Sequence, residues 1–279
     1  MTISSQPPPA PNTFPAAPVR VEWDQGLARI VLSRGDTGNA FDLDLVTALR
    51  DAVEQVVQRT TEPDQGGLRA VLLRAEGRNF SVGGDLKVFL AQGDGTAAYV
   101  RSVADTAHAA VLGLAGLHVP VIAEIQGAVA GGGVGLALAS DLVVAARSTR
   151  LRLAYTALGL TPDCGASWLL PRLVGERRAL DLVLTNRVLE SAEAEDWGLF
   201  NRVVDDAALP AAAEELARAL AAGHAYGLYQ SKLLVRGAGL DELRDHLAHE
   251  AQAIASASSR PQTREAMEQF LTRPRNVPR

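Results

Sequence analysis

The 279-residue sequence is first narrowed by what it has little of. Cysteine is nearly absent: Cys164 stands alone, which excludes an intrachain disulfide framework and any cysteine-cluster metal site and fits a reducing compartment. Histidine is sparse, and the close pair His246 and His249 falls in a charged stretch without a His-Glu-x-x-His pattern, so no metal is expected. A basic excess is missing. With 27 Lys and Arg against 32 Asp and Glu, a net charge of -5 and a pI near 5.6, neither nucleic acid nor an anionic membrane is an expected partner. Long apolar runs are missing too. The two charge-free stretches, 106–123 and 125–140, are interrupted by His108, His118 and Pro120 in one and by five glycines in the other. A membrane-spanning helix needs about 18 predominantly apolar residues, so none is expected.

What is present describes an ordinary compact chain. Its 47% hydrophobic and 21% charged residues exclude collagen-like, coiled-coil and globally disordered classes. Residues 1–18 hold six of the fourteen prolines and no charge, which predicts a disordered tail. The first basic residue, Arg20, follows that stretch, so a secretory leader is disfavoured and a cytoplasmic location is the expectation.

Alternating apolar and polar residues over Val19–Arg34, around Asp24-Gln25-Gly26, predict a hairpin. Leu43, Val46, Leu49, Val53 and Val56 share one helical face within 42–59, with Asp42 available as N-cap. Residues 68–74, 121–125 and 141–146 read as short strands and 106–117 as a helix. The Gly93-Asp94-Gly95 stretch reads as a flexible break over a pocket. Strands alternating with helices predict an α/β chain whose sheet is covered by helices. From Asp206 onward the pattern is helical, over 207–222, 240–257 and 263–271, which divides the chain into a core at 19–205 and a helical region at 206–279.

Two glycine-rich loops, Phe80–Asp85 and Gly127–Gly133, each follow a strand and precede a helical stretch. Free backbone N–H groups at such a junction can face a partly negative oxygen, and two loops together can make an oxyanion hole. Taken alone, the same glycines also serve tight turns and close packing. Neither loop has the phosphate-loop or GxGxxG spacing, so nucleotide hydrolysis and hydride transfer lose support.

Three ordered segments, Phe80–Leu86, Val119–Asp141 and Leu158–Arg172, together resemble the enoyl-CoA hydratase/isomerase (crotonase) superfamily. The resemblance implies a spiral of ββα units, a helical C-terminal region that forms a homotrimer or a dimer of trimers, and a coenzyme A thioester as substrate. It places the two oxyanion-hole N–H groups at Gly84 and Gly132, and it brings no cofactor beyond the coenzyme A of the substrate. Hydratases of the family use two glutamates, at positions where this chain has Gly135 and Tyr155. Neither residue can give and take protons around a water as a carboxylate pair does, so hydratase activity is not expected.

One acid remains in this neighbourhood, Asp163 in Thr161-Pro162-Asp163-Cys164-Gly165. Read by itself, it is also a plausible helix N-cap. Its segment resembles that of the family's isomerases, including the ring-expanding isomerase of phenylacetate breakdown, which implies that Asp163 is the sole acid/base. The expected reaction moves a 3-enoyl-CoA double bond into conjugation. Val82, Gly83 and Lys87 are expected at the substrate, with Tyr155, Trp168 and Leu169 as an apolar wall. Glu124 reads as a solvated or arginine-paired acid, Cys164 as a small buried hydrophobe, and Lys87 and Arg273 as candidates to meet coenzyme A phosphates. Two alternatives stand beside the isomerase. One is an aryl-CoA dehalogenase or hydrolase with Asp163 as nucleophile and His108 as base; the other is an inactive acyl-CoA-binding protein.

Overall fold

The structure is a computed structural model in which residues 17–60, 67–236 and 239–273 are described. The expected tail therefore lies, but for its last two residues, outside the described residues. The chain opens with the hairpin of β1 (Val19–Asp24) and β2 (Leu27–Leu32). Its two-residue turn has Gln25 at φ 45° and Gly26 at φ 84°, the doubly left-handed geometry that matches the twist of paired strands. Helix α1 (Leu43–Thr60) follows, and Asp42 caps it: the carboxylate accepts the Leu45 N–H at 2.9 Å and pairs with Arg34.

Strand β3 (Ala70–Ala75) lies parallel to β2 and leads through the Phe80–Asp85 loop to α2 (Leu86–Ala91) and α3 (Thr96–Ala115). The sequence placed the start of this last helix near Thr106. It starts at Thr96 because Gly93–Gly95 is a tight 3-10 turn, closed by the Thr96 hydroxyl on the Phe89 and Gly93 carbonyls, not a flexible break. Then come β4 (Val121–Ile125), β5 (Ala128–Ala130) and α4 (Gly132–Leu138), and next β6 (Leu142–Ala146), β7 (Arg150–Arg152), α5 (Ala166–Val174) and α6 (Glu176–Thr185). The chain continues with β8 (Leu189–Glu190), α7 (Ser191–Asp196), β9 (Arg202–Val204) and four helices: α8 (Leu209–Ala221), α9 (Ala225–Arg236), α10 (Gly239–Ser258) and α11 (Pro261–Thr272).

The strands form a six-stranded sheet in the order β1-β2-β3-β4-β6-β9, parallel after the hairpin, and a three-stranded sheet in the order β5-β7-β8. Successive units share one plan. β4 and β6 enter the large sheet, β5 and β7 pair with each other in the small one, and a helix follows each pair. The β3 unit repeats this with a single pairing, because Ser81 bridges Val129 of β5 just before α2. Both glycine loops therefore occupy equivalent positions, at the end of the small-sheet segment and ahead of a helix.

One face of the large sheet packs on α1 and α3 through Ile30, Leu73 and Ala123 against Leu49, Val53 and Leu114. Helix α8 covers the other face, with Ala213 and Ala217 against Leu72, Ile122 and Val144. Ala251, Ile254 and Met267 of α10 and α11 belong to the same apolar cluster as α1 and α3. Residues on both sides of the boundary read at 205/206 thus share one apolar cluster. Helix α9 buries no residue of its own; Lys232 and Arg236 tie it to Asp141, which is why apolar periodicity did not single it out.

Asn39 ties the first glycine loop to the sheet. Fully buried and left-handed at φ 52°, it accepts the Arg34 N–H and donates to the Glu76 and Asn79 carbonyls, while its own carbonyl accepts the Ser81 hydroxyl. Asn39→Ala should lower unfolding free energy by about 2–4 kcal/mol, because it orphans buried backbone groups and leaves a left-handed alanine. Urea denaturation measures this, and a loss below about 1 kcal/mol would show that the loop is held by other contacts.

Candidate active site

The Phe41–Gly84 bridge sets the direction of the Gly84 N–H, the first candidate oxyanion donor. Phe41 makes both of its hydrogen bonds, to the Gly83 carbonyl at 2.7 Å and from the Asp85 N–H at 2.9 Å, so Gly84 turns its own N–H away from that strand. Gly132 is the first residue of α4, where helix geometry leaves the N–H without an intrahelical acceptor. Among the described residues, neither N–H has a hydrogen-bond acceptor, and both glycines line one cavity. A Cβ on Gly84 would lie 2.7 Å from the Phe89 ring, and one on Gly132 would lie 3.0 Å from Cys164 Sγ and from the Phe41 ring. Close packing thus leaves little space for a side chain at the same two positions that the chemistry would use.

Asp163 reaches the same cavity from the loop before α5. It is not a side-chain cap: α5 starts at Ala166, and the Asp163 carboxylate instead accepts the Tyr155 hydroxyl at 2.5 Å. Burial pushes the carboxyl above its ordinary range, while His108, the Tyr155 hydroxyl and the Cys164 thiol oppose the shift. Burial also pushes the Tyr155 phenol well up, so it stays a donor. Two other carboxylates line the cavity. Asp36 is exposed, and Asp85 caps α2 by accepting the Lys87 and Val88 N–H groups. Asp163 is the lining acid that is neither exposed nor engaged in capping a helix.

The cavity measures about 910 Å³. Phe41, Val82, Phe89, Val103 and Ile254 contribute apolar wall, and Gly83, Lys87, Tyr155 and Arg273 also line it. Trp168 and Leu169, expected in the wall, do not. The first turn of α5 rotates them away, Trp168 against Gly239 and under the Arg172 guanidinium, Leu169 into the core beneath Gly165. Sequence reading missed Arg78 and Arg152, which join the lining as exposed cations. Glu124 pairs with Arg74 at 3.1 Å. His108 accepts the Cys164 N–H on Nε2 at 2.9 Å, and burial lowers its pKa. The ligand atoms of His108, Asp163 and Cys164 lie within 4.8 Å of one another, but that amide occupies the imidazole lone pair a metal would take.

Residues 22–276 match the family described as enoyl-CoA hydratase/isomerase. The chain belongs to this family. It is 35% identical over 251 residues to a 1,2-epoxyphenylacetyl-CoA isomerase of Escherichia coli, covering 90% of this chain and 94% of the relative. It is 32% identical over 258 residues to a 4-chlorobenzoyl coenzyme A dehalogenase of an Arthrobacter species, with 91% of each chain covered. A solved enoyl-CoA hydratase from Mycobacterium avium subsp. paratuberculosis superposes with a TM-score of 0.80 at 29% identity, over 91% of this chain and 99% of that one. The architecture is thus the crotonase fold. No helix among the described residues is long and apolar enough to cross a membrane.

Of the two positions where the resemblance expects a hydratase's glutamates, 135 has no room for a side chain and 155 holds a phenol. An ideal Cβ on Gly135 would lie 2.1 Å from the Cys164 carbonyl oxygen, so the loop backbone fills the space of the first acid. The Tyr155 hydroxyl stands at the second and is committed to Asp163. Gly135→Ala should cost about 3 kcal/mol or more, since backbone and not a flexible side chain must yield. Thermal denaturation checks this; a melting temperature within a degree of wild type would show that the loop gives way freely.

Glu250 of α10 carried no signal in the sequence beyond being one of many acids on a helix. It is 4% exposed, and its carboxylate accepts the Gly165 N–H at 2.7 Å and the Ser167 N–H at 3.1 Å. Burial, the largest cause, pushes its carboxyl up to about 7. His108, His246, Asp163, Cys164 and Tyr155 face it. A raised folded pKa means that the charged form is penalised on folding. The stability linked to the neutral form is therefore complete below the ordinary value of 4.5 and lost as pH rises to about 7. Relative to wild type, Glu250→Gln should gain up to about 3 kcal/mol between these limits, read by urea denaturation across the range. A pH-independent difference would place the carboxyl pKa near its ordinary value.

Proposed function

We propose that the protein is an acyl-CoA isomerase that converts a 3-enoyl-CoA to the conjugated 2-enoyl-CoA, with ring-type aryl-CoA thioesters among its substrates. The reading is carried by one observation: a half-buried carboxylate, Asp163, held by the Tyr155 hydroxyl, shares a largely apolar cavity with two N–H groups that have no acceptor, on Gly84 and Gly132. Asp163 takes the proton from C2, the electrons move into a dienolate whose oxygen the two N–H groups hold, and Asp163 returns the proton to C4. No atom is gained or lost and no electron is transferred to a carrier, so the reaction asks for no cofactor beyond the coenzyme A of the substrate. Burial strengthens Asp163 as a base, and the Tyr155 hydroxyl holds it in place. The exposed cations Arg78, Lys87, Arg152 and Arg273 suit the phosphates of coenzyme A. Exposed Tyr226, Leu234 and Val235 on α9 suit self-association as a homotrimer or dimer of trimers.

The second reading, Asp163 as a nucleophile on an aryl-CoA with His108 as the base of hydrolysis, is favoured by the closeness of His108 and by the dehalogenase relatives. It requires the imidazole to release the Cys164 N–H first. Single turnover in heavy-oxygen water separates the two, because the nucleophilic route leaves label in Asp163.

On a straight-chain 3-enoyl-CoA, the wild type should raise conjugated-enoyl absorbance and wash deuterium into C2 and C4. Asp163→Asn should lower kcat by about 10³-fold. Tyr155→Phe removes a hydrogen bond that favours the carboxylate, so the acid limb of its kcat profile should move to higher pH, with kcat down about tenfold. No exchange above the Asp163→Asn background with any 3-enoyl thioester would overturn the reading in favour of acyl-CoA binding alone.

A further inference from the structure

The loop that presents Asp163 does not hold its own shape. Cys164 adopts φ 54° and Gly165 φ 78°, two successive left-handed residues of which the first carries a side chain. Helix α5 starts directly after them without a cap from its own side chains. Such a turn persists only where the surroundings over-determine it. The surroundings here are His108 of α3, which accepts the Cys164 N–H at 2.9 Å, and Glu250 of α10. Glu250 takes the Gly165 N–H on Oε2 at 2.7 Å, and on Oε1 it takes the Ser167 N–H at 3.1 Å and the Ser167 hydroxyl at 2.5 Å. The Ser167 hydroxyl also meets His246 Nε2 at 2.8 Å. Glu250 is buried behind the loop and is not among the residues lining the cavity, so it meets the substrate only through the residues it holds.

We propose that Glu250 is a positioning residue for Asp163: by gathering the orphan N–H groups of Gly165 and Ser167 it locks the left-handed turn and aims the Asp163 carboxylate into the cavity. The active-site loop thereby depends on the seating of α10, a helix that begins more than seventy residues later in the chain. The inference rests on the proposed function only in taking Asp163 as the working acid. Withdrawal from water raises the Glu250 pKa, and the Gly165 and Ser167 donors act against that rise by holding the charged form.

The test uses Glu250→Ala and Glu250→Gln in the full chain, with two readouts. The first is independent of any reaction. Cys164 is the sole cysteine, so its alkylation by iodoacetamide reports on this turn alone, alongside hydrogen exchange of the 164–167 amides. Glu250→Ala should speed labelling and local exchange at least tenfold, with exchange in β3 and β4 unchanged, and Glu250→Gln, which keeps one acceptor oxygen, should fall between. The second readout is kinetic: kcat on the 3-enoyl-CoA should drop at least thirtyfold in Glu250→Ala with KM within threefold, and Glu250→Gln should recover part of the loss. Unchanged labelling and exchange at 164–167 would overturn the proposal. So would loosening that extends to β3 and β4, which marks a general structural role. If the loop loosens as expected but wild type itself converts no 3-enoyl-CoA, the positioning role stands and the proposed reaction fails.

Discussion

The arrangement depends on one contact, the carbonyl oxygen of Cys164 against the bare α-carbon of Gly135. It lies where a side chain at 135 would begin, 2.1 Å from an ideal Cβ. Because nothing projects from α4 at this point, the 163–165 loop lies directly on the helix whose first N–H, on Gly132, faces the cavity. Cys164 Sγ closes the same contact from the side, 3.0 Å from where a Gly132 Cβ would stand. The missing acid at 135 and the acid present at 163 are therefore one structural fact. A glutamate at 135 would lift the loop and carry Asp163 away from the Gly84 and Gly132 N–H groups.

That close seat creates an electrostatic problem, which the neighbouring groups answer. Asp163 and Glu250 lie near enough that the charge on Asp163 raises the Glu250 pKa, in a region from which most water is excluded. A buried and a half-buried carboxylate this close are tolerable only if donors surround them. Glu250 draws on the N–H groups at the start of α5, where the helix dipole also favours negative charge, and Asp163 draws on the Tyr155 hydroxyl. His108, which burial disfavours as a cation, contributes its lone pair to the Cys164 amide instead of a full positive charge. For Asp163 burial outweighs these partners and leaves the carboxyl pKa raised, which in the proposed reaction makes it the better base toward a weakly acidic carbon.

The parts of this site that were legible in the sequence are those set by local chain chemistry. The hairpin, the Asp42 cap and the strand-to-helix position of both glycine loops follow from patterns a few residues long, and the structure brings Gly84, Gly132 and Asp163 to one cavity. What periodicity could not supply is direction and long-range pairing. Trp168 and Leu169 lie close to Asp163 in sequence, yet the left-handed turn rotates α5 so that both face the core. Tyr155 read as an apolar wall because its hydroxyl partner is set by the path of the loop between 155 and 163. Glu250 lies 85 residues from its Gly165 partner, and nothing in a polar helix marks which acid turns inward. Gly135 read as a lost acid, and only the packing shows that it is a required absence.

Charge distribution completes the argument. The chain carries a net -5, yet Arg78, Lys87, Arg152 and Arg273 meet at one cavity whose interior is largely apolar and whose free carboxylate lies against buried groups. Net charge governs weak, long-range encounters, and here it opposes nonspecific polyanion binding. Cations on a cavity lining act at contact distance, where a few placed guanidinium groups recognise phosphate whatever the total. Separating the two functions lets a polyanionic handle be held by exposed cations while the acyl part enters a region that stays dry. In the proposed reaction, dryness is what keeps Asp163 basic, so phosphate recognition by exposed residues and proton transfer at a half-buried one would be two consequences of the same division between wet and dry surface.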